Sequence, residues 1–249
     1  MNKFYRQKLI FQWIIAITLL LGALLPMFVI IIKASNQPLY YLFFMIYIPV
    51  AQFAFTPFCT LTGIYKYYSP MLLGYNATDK QIDLHNGTSF DYLMVMTHHK
   101  PGIEFRNRLL KYHLEGLLNI IQLIENKNIP ETVNIVGTSY FFNKRTLEKM
   151  GFETENPSLF YRINLYMNVI DLIWMYSLSQ GKLKIPNIGN VRKASTTGKK
   201  LTENKNKIKL LIEKLKHKRA PNNQSFVSPE QPTNDLKKHR NKINSKGLR

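Results

Sequence analysis

The sequence predicts an α/β protein: an N-terminal two-helix transmembrane hairpin, then a small mixed α/β domain, then a disordered basic tail. Three observations carry that prediction. Residues 9–32 and 39–64 contain no charged side chain, and about 20 apolar residues let a helix cross the roughly 30 Å hydrocarbon core. From residue 80 to 175 the apolar pattern changes between alternation and helical spacing, which marks strands mixed with helices. Positive charge gathers at the end: the net charge is +4 over residues 1–65, +2 over 66–190 and +13 over 191–249, within a total of +19.

The hairpin comes first, over residues 1–68. Basic residues Lys3, Arg6 and Lys8 precede the first apolar run. That run is too long for a signal-peptide core of about 7–15 residues, so a retained span is expected. Pro49 and Pro57 each remove a backbone donor from the second span. Gln52 and Thr56 are placed to satisfy freed carbonyls, or Gln52 bonds the first span, as side-chain amides do between membrane helices. Tyr40, Tyr41, Tyr65, Tyr67 and Tyr68 flank the second run, and Phe4, Tyr5 and Trp13 the first, at the depths of an aromatic belt. The bias of basic residues places both termini in the cytoplasm, with a bacterial inner membrane as the expected location. In that orientation the sequons at Asn76 and Asn86 are chance. Neither run contains an ionisable acid or base, which excludes a proton relay or an ion pump. The single cysteine, Cys59, excludes an intramolecular disulfide.

The domain is expected over residues 69–189. A short strand at 81–84, a turn at His85-Asn86-Gly87-Thr88 and a strand at 89–96 rich in Phe, Tyr, Leu and Val open it. Pro101-Gly102 breaks the pattern. Residues 103–126 read as a long helix, with Leu110, Leu114, Leu117, Leu118, Ile121 and Ile124 at spacings of three and four. Pro130 ends it. Residues 132–136 read as a buried strand and Gly137-Thr138-Ser139 as a turn. Asn143 reads as the N-cap of a helix over 144–150, closed by Gly151. Residues 160–175 fit strand or helix.

From Arg106 to Phe152 the order is long helix, buried strand, Gly-Thr-Ser turn, then Asn143-Lys144-Arg145-Thr146-Leu147-Glu148-Lys149-Met150-Gly151-Phe152. This resembles the C-terminal half of the GNAT acyltransferase fold, where a strand runs into a short helix with Asn near its start and a Gly-Phe pair at its end. The resemblance implies acyl transfer from an acyl-CoA, such as acetyl-CoA, to an amine, with Thr138 and Asn143 on the cofactor. It implies no metal. The family grips pyrophosphate with a glycine-rich loop before the long helix. The corresponding stretch here, His98 to Arg106, has one glycine, Gly102, and an acid, Glu104. The family's frequent tyrosine acid falls at Leu147. Either the domain is a catalytically silent relative or the match is accidental.

Other constellations are less specific. His98 and His99 are a surface pair or a strand-end site. His85, Asp91 and His113 would form a metal or acid–base cluster only if the fold gathers them; no H-E-x-x-H or C-x-x-C spacing exists. Asp91 is expected on the solvent face. Gly87-Thr88-Ser89 and Gly137-Thr138-Ser139 are ordinary turns or a pair of anion-binding ones. Ser139 lacks the G-x-S-x-G setting of a nucleophile. Lys100, Arg106, Arg108 and Lys111 are a solvated face or an anion site.

The near-neutral domain argues against a globular nucleic-acid-binding fold. The tail, residues 190–249, has the composition of disorder. One island at 202–218 reads as a basic amphipathic helix, with Ile208, Leu211, Ile212 and Leu215 on one face. Two functions are therefore expected. The first is a membrane-anchored cytoplasmic domain resembling an acyl-CoA-dependent N-acyltransferase, active or silent. The second is a non-enzymatic membrane adaptor whose tail binds anionic lipid, an acidic partner or nucleic acid.

Overall fold

A computed structural model describes residues 3–139 and 144–217. Helix α1 (Leu9–Asn36) is by itself long and apolar enough to cross a membrane. Helix α2 (Leu42–Leu61) reaches span length only with the turn before it, as two pieces, Pro38–Phe44 and Ile46–Leu61, bent by 48°. Ala16 and Ala23 are buried on α1, where small side chains let helices approach. The Tyr47 hydroxyl donates to the Ala23 carbonyl across the pair.

The second expected span, 39–64, also meets the domain. Ala54 and Thr56 of α2 are buried, and the Phe53 ring lies 5.3 Å from that of Phe90. The second half of α2 packs on the domain through these residues. Hydropathy alone does not separate lipid from protein interior.

Six strands form one mixed sheet: β1 (Tyr65–Ser69), β2 (Leu72–Tyr75), β3 (Gln81–Asn86), β4 (Asn134–Ser139), β5 (Glu153–Glu155) and β6 (Arg192–Thr197), in spatial order β1-β2-β3-β4-β6-β5. The β3–β4 pair is parallel and the other pairs are antiparallel. A parallel pair requires a crossover. Here the crossover contains α3 (Ser89–Asp91), a π-helical turn at Tyr92–Met96, and α4 (Ile103–Glu125). The main core lies between α4 and one sheet face, where Leu114, Leu117, Ile121 and Ile124 meet Leu72, Ile82, Leu84 and Ile135. Gly116 lets α4 lie close to β2, since a Cβ there would sit 2.7 Å from Leu72 Cδ2. After β4 come α5 (Lys144–Lys149), then α6 (Leu159–Met167) and α7 (Val169–Gln180).

The strand expected at 89–96 is helical. Thr88 and Asp91 form a capping box, with the Thr88 N–H donating to Asp91 Oδ2 at 2.9 Å. That satisfied end outweighs strand propensity. Gly137-Thr138-Ser139 is strand rather than turn, because all three residues pair with β6. Asp91, expected in solvent, is buried and accepts from the Tyr67 hydroxyl at 2.7 Å.

The boundary expected at residue 190 falls inside the domain. Arg192–Thr197 fills the sheet between β4 and β5. The amphipathic island forms α8 (Gly198–Glu203) and α9 (Lys205–His217), and Leu201, Ile208 and Ile212 enter the main core beside α4. Its apolar face meets protein, which the lysines on the opposite face concealed. The tail expected beyond it, 218–249, lies outside the described residues.

Ile208→Ala should destabilise the protein by about 2–5 kcal/mol, whereas Lys209→Ala should change it by less than about 0.5 kcal/mol. Denaturant unfolding of the full chain in detergent measures both. A free surface helix would make the two equal.

Candidate functional site: the opening between β3 and β4

The parallel ladder runs from Gln81 opposite Asn134 to Leu84 opposite Gly137 and stops there. Both strands continue. Asn86 stays paired with Leu72 of β2, and Ser139 with Arg192 of β6. The β3–β4 register therefore ends while both strands keep their outer neighbours. Two cavities flank this opening. One, of about 60 Å³, lies on the α4–α5 side, against His113, Leu117, Leu147 and Met150. The other, of about 390 Å³, lies under α6 and α7 and reaches Gln52 of α2. His85, Asn86 and Thr138 line both.

Strand alternation distributes the side chains. His85 and Asp83 share a face, with His85 Nε2 3.6 Å from Asp83 Oδ2. Burial and the nearby Asp83 carboxylate raise the Tyr161 phenol pKa. Asn86 points the other way, to His113 Nε2 on α4. His113 Nδ1 faces the Leu109 carbonyl at 2.7 Å. Burial pushes its pKa down to about 4, so the ring is neutral at pH 7. A neutral imidazole has one N–H, and donating it to Leu109 leaves Nε2 an acceptor. The Asn86 amide then serves it best through its NH₂, a turn of the amide about its own axis.

Asp171 is the larger cavity's buried acid. Its Oδ1 accepts from Ser89 Oγ at 3.0 Å and Trp174 Nε1 at 2.8 Å. Its Oδ2 is buried without a hydrogen-bond partner, and burial raises its pKa. Among the described residues no Lys or Arg lines this cavity, in a protein of net charge +19.

The expected residues divide. Thr138 is at the opening; Asn143 lies outside the described residues. Gly151 and Phe152 close α5, and Phe152 is in the main core. His85, Asp91 and His113 do not converge, and no metal-holding group of His, Cys, Asp or Glu exists among the described residues. His99 faces Glu104 at 3.4 Å. Lys111 pairs with Glu115 at 3.4 Å along α4. The start of α4 is occupied, since the Gly102 N–H donates to the Leu178 carbonyl at 2.8 Å. Asp171 and Tyr161 escaped the sequence reading. A lone acid inside the apolar run 169–174 was their one signal.

Fold and site together define an α/β domain on an apolar N-terminal helix, with a split parallel strand pair at its centre. Compared with known proteins, the chain matches no family model, no curated protein and no solved structure.

His113 gives a pH prediction. Its folded pKa is lowered from 6.5 to about 4, so below pH 6.5 the unfolded chain binds a proton that the folded one refuses. Stability should fall as pH drops from about 6.5 to about 4, by about 3 kcal/mol from this group. His113→Gln should remove that share of the slope in urea titrations at pH 4–7; an unchanged slope contradicts the assignment.

Proposed function

We propose that this chain is a membrane-tethered acyltransferase of the GNAT type, in which the β3–β4 opening receives an acyl thioester and the larger cavity its amine acceptor. The observation carrying this is the broken parallel pair with a cavity on each face, joined through His85, Asn86 and Thr138. The β3–α4–β4–α5 order agrees with the resemblance of residues 106–152. In this reading α1 and α2 both cross the membrane and both termini are cytoplasmic.

The pantetheine arm of an acyl-CoA bears two amides, and the end of a strand ladder suits an extended amide-bearing ligand. The residues present fit that arm. They do not fit pyrophosphate, because the first turn of α4 carries an acid, Glu104, where a phosphate would lie. Binding rests on the arm and the acyl group. His85 takes the proton that the amine loses as its nitrogen bonds the acyl carbon and the carbon–sulfur bond breaks; the thiolate leaves and is protonated. Asp83 orients His85. Asp171 Oδ2 holds a cationic part of the acceptor, whose ammonium charge the otherwise uncharged lining does not oppose.

Acetyl-CoA at about 100 times its Kd should stabilise the full chain in nanodiscs by about 2.7 kcal/mol. His85→Ala should lower thiol release by about 10²–10⁴-fold while retaining the thermal shift. No shift at millimolar ligand, with no thiol release, defeats the proposal.

A second reading, a membrane adaptor, is favoured by the net charge of +13 over 191–249 and the absent pyrophosphate grip. A chain ending at His217 keeps β6, α8 and α9. It should lose salt-sensitive binding to anionic vesicles, at about 1 kcal/mol per basic residue engaged. Equal binding by both chains removes lipid from this reading.

A further inference from the structure

Helix α6 is inverted relative to a surface helix of a soluble domain. Its Leu165 is buried toward the larger cavity. Its outward positions are apolar: Leu159 is 76%, Tyr166 56% and Ile163 51% exposed, and Met167 joins them. Positions 159, 163, 166 and 167 fall within one arc of about 100° on a helix. Arg162 is exposed on the flank of this stripe.

The stripe adjoins the apolar exterior of the hairpin. Gln52 of α2 donates to Asn168, the residue that ends α6. Asn168 in turn donates to the Asn164 carbonyl at 2.8 Å. One turn before Gln52, α2 presents exposed Ile46 and Val50. Helix α6 therefore meets α2 at Gln52, on a helix whose exposed residues Ile46 and Val50 are also apolar.

We infer that α6 lies in the membrane–water interface, with Leu159, Ile163, Tyr166 and Met167 in the acyl boundary and Arg162 among the head groups. The occupant of this face is the lipid surface. Apolar stripes flanked by basic residues bind there by area burial and attraction to anionic lipid, and tyrosine suits that depth. The inference rests on the reading of α1 as a span. Its consequence is functional: Leu165, Asn164 and Asn168 line the larger cavity from the same helix, so that cavity is held at the bilayer surface.

Single-cysteine variants in a Cys59→Ser full chain test it. An environment-sensitive fluorophore is placed by Leu25→Cys on α1, Ile163→Cys on α6 and Glu131→Cys on an exposed loop, with one protein per nanodisc. Nitroxide-labelled phosphatidylcholine in the disc is the quencher. Residues 25 and 163 should be quenched several-fold more than 131, with a blue-shifted emission at both. Quenching at 25 alone overturns the inference and leaves the span intact. Quenching at none of the three overturns both. If 163 is shielded and the protein dimerises on raising the loading to two per disc, the face belongs to a second copy, which also overturns it.

Discussion

The site depends on a parallel ladder that ends before its strands do. Past Leu84 and Gly137, each strand keeps its outer neighbour and loses its inner one. β3 is held by β2 and, through Asn86, by His113 of α4. β4 is held by β6 as far as Ser139. Backbone groups left without partners and away from water cost energy comparable to lost hydrogen bonds. A gap of this kind persists only where outer contacts impose it, or where a ligand or water fills it. The two cavities lie at this register end.

A line of polar contacts ties this region to α2. Thr56 Oγ1 lies 2.8 Å from Thr88 Oγ1, which donates to Asp91 Oδ2 at 3.1 Å. Asp91 also caps α3 through the Thr88 N–H. Gln52 reaches Asn168 on the cavity's other wall. Thr88 and Asn168 both line the larger cavity. Helix α2 is thus built into the domain's floor. A tether would need only a flexible link; here Phe4 and Phe90 also meet edge-on at 5.4 Å. Movement of α2 would reach the cavity lining through two hydrogen-bonded walls.

What the sequence made legible follows from periodicity. Helix α4 is readable because Leu114, Leu117, Ile121 and Ile124 hold one face over about three turns, and the structure buries them all. β4 is readable as a short apolar run, although its end is not, since glycine and two hydroxyl residues also make turns. The first two strands, Tyr65–Ser69 and Leu72–Tyr75, hide beside the apolar run before them. Residues 89–96 hide for the opposite reason: they are rich in strand formers, yet a short helix and a π-turn bury Ser89 to Tyr92 and Met96 and expose Leu93 and Met94. Of the site, Thr138 and His85 were visible as residue types. Their convergence was not, because the register that ends at Leu84 is a property of three strands at once.

Charge separates the two sides of the proposed reaction. An anionic donor such as a CoA thioester is attracted by a protein of net charge +19, but that attraction is screened beyond about 8 Å at physiological ionic strength. A cationic acceptor is repelled by the same field at long range and must be recovered at short range. Only a buried acid, in a lining free of Lys and Arg, can supply this, because the Coulomb term grows as the dielectric falls. Asp171 meets that condition: two donors orient one of its oxygens, and the other is left for the ligand. Its raised pKa follows from the same burial. An incoming ammonium would lower it again, so acceptor binding and ionisation of Asp171 are coupled and each favours the other.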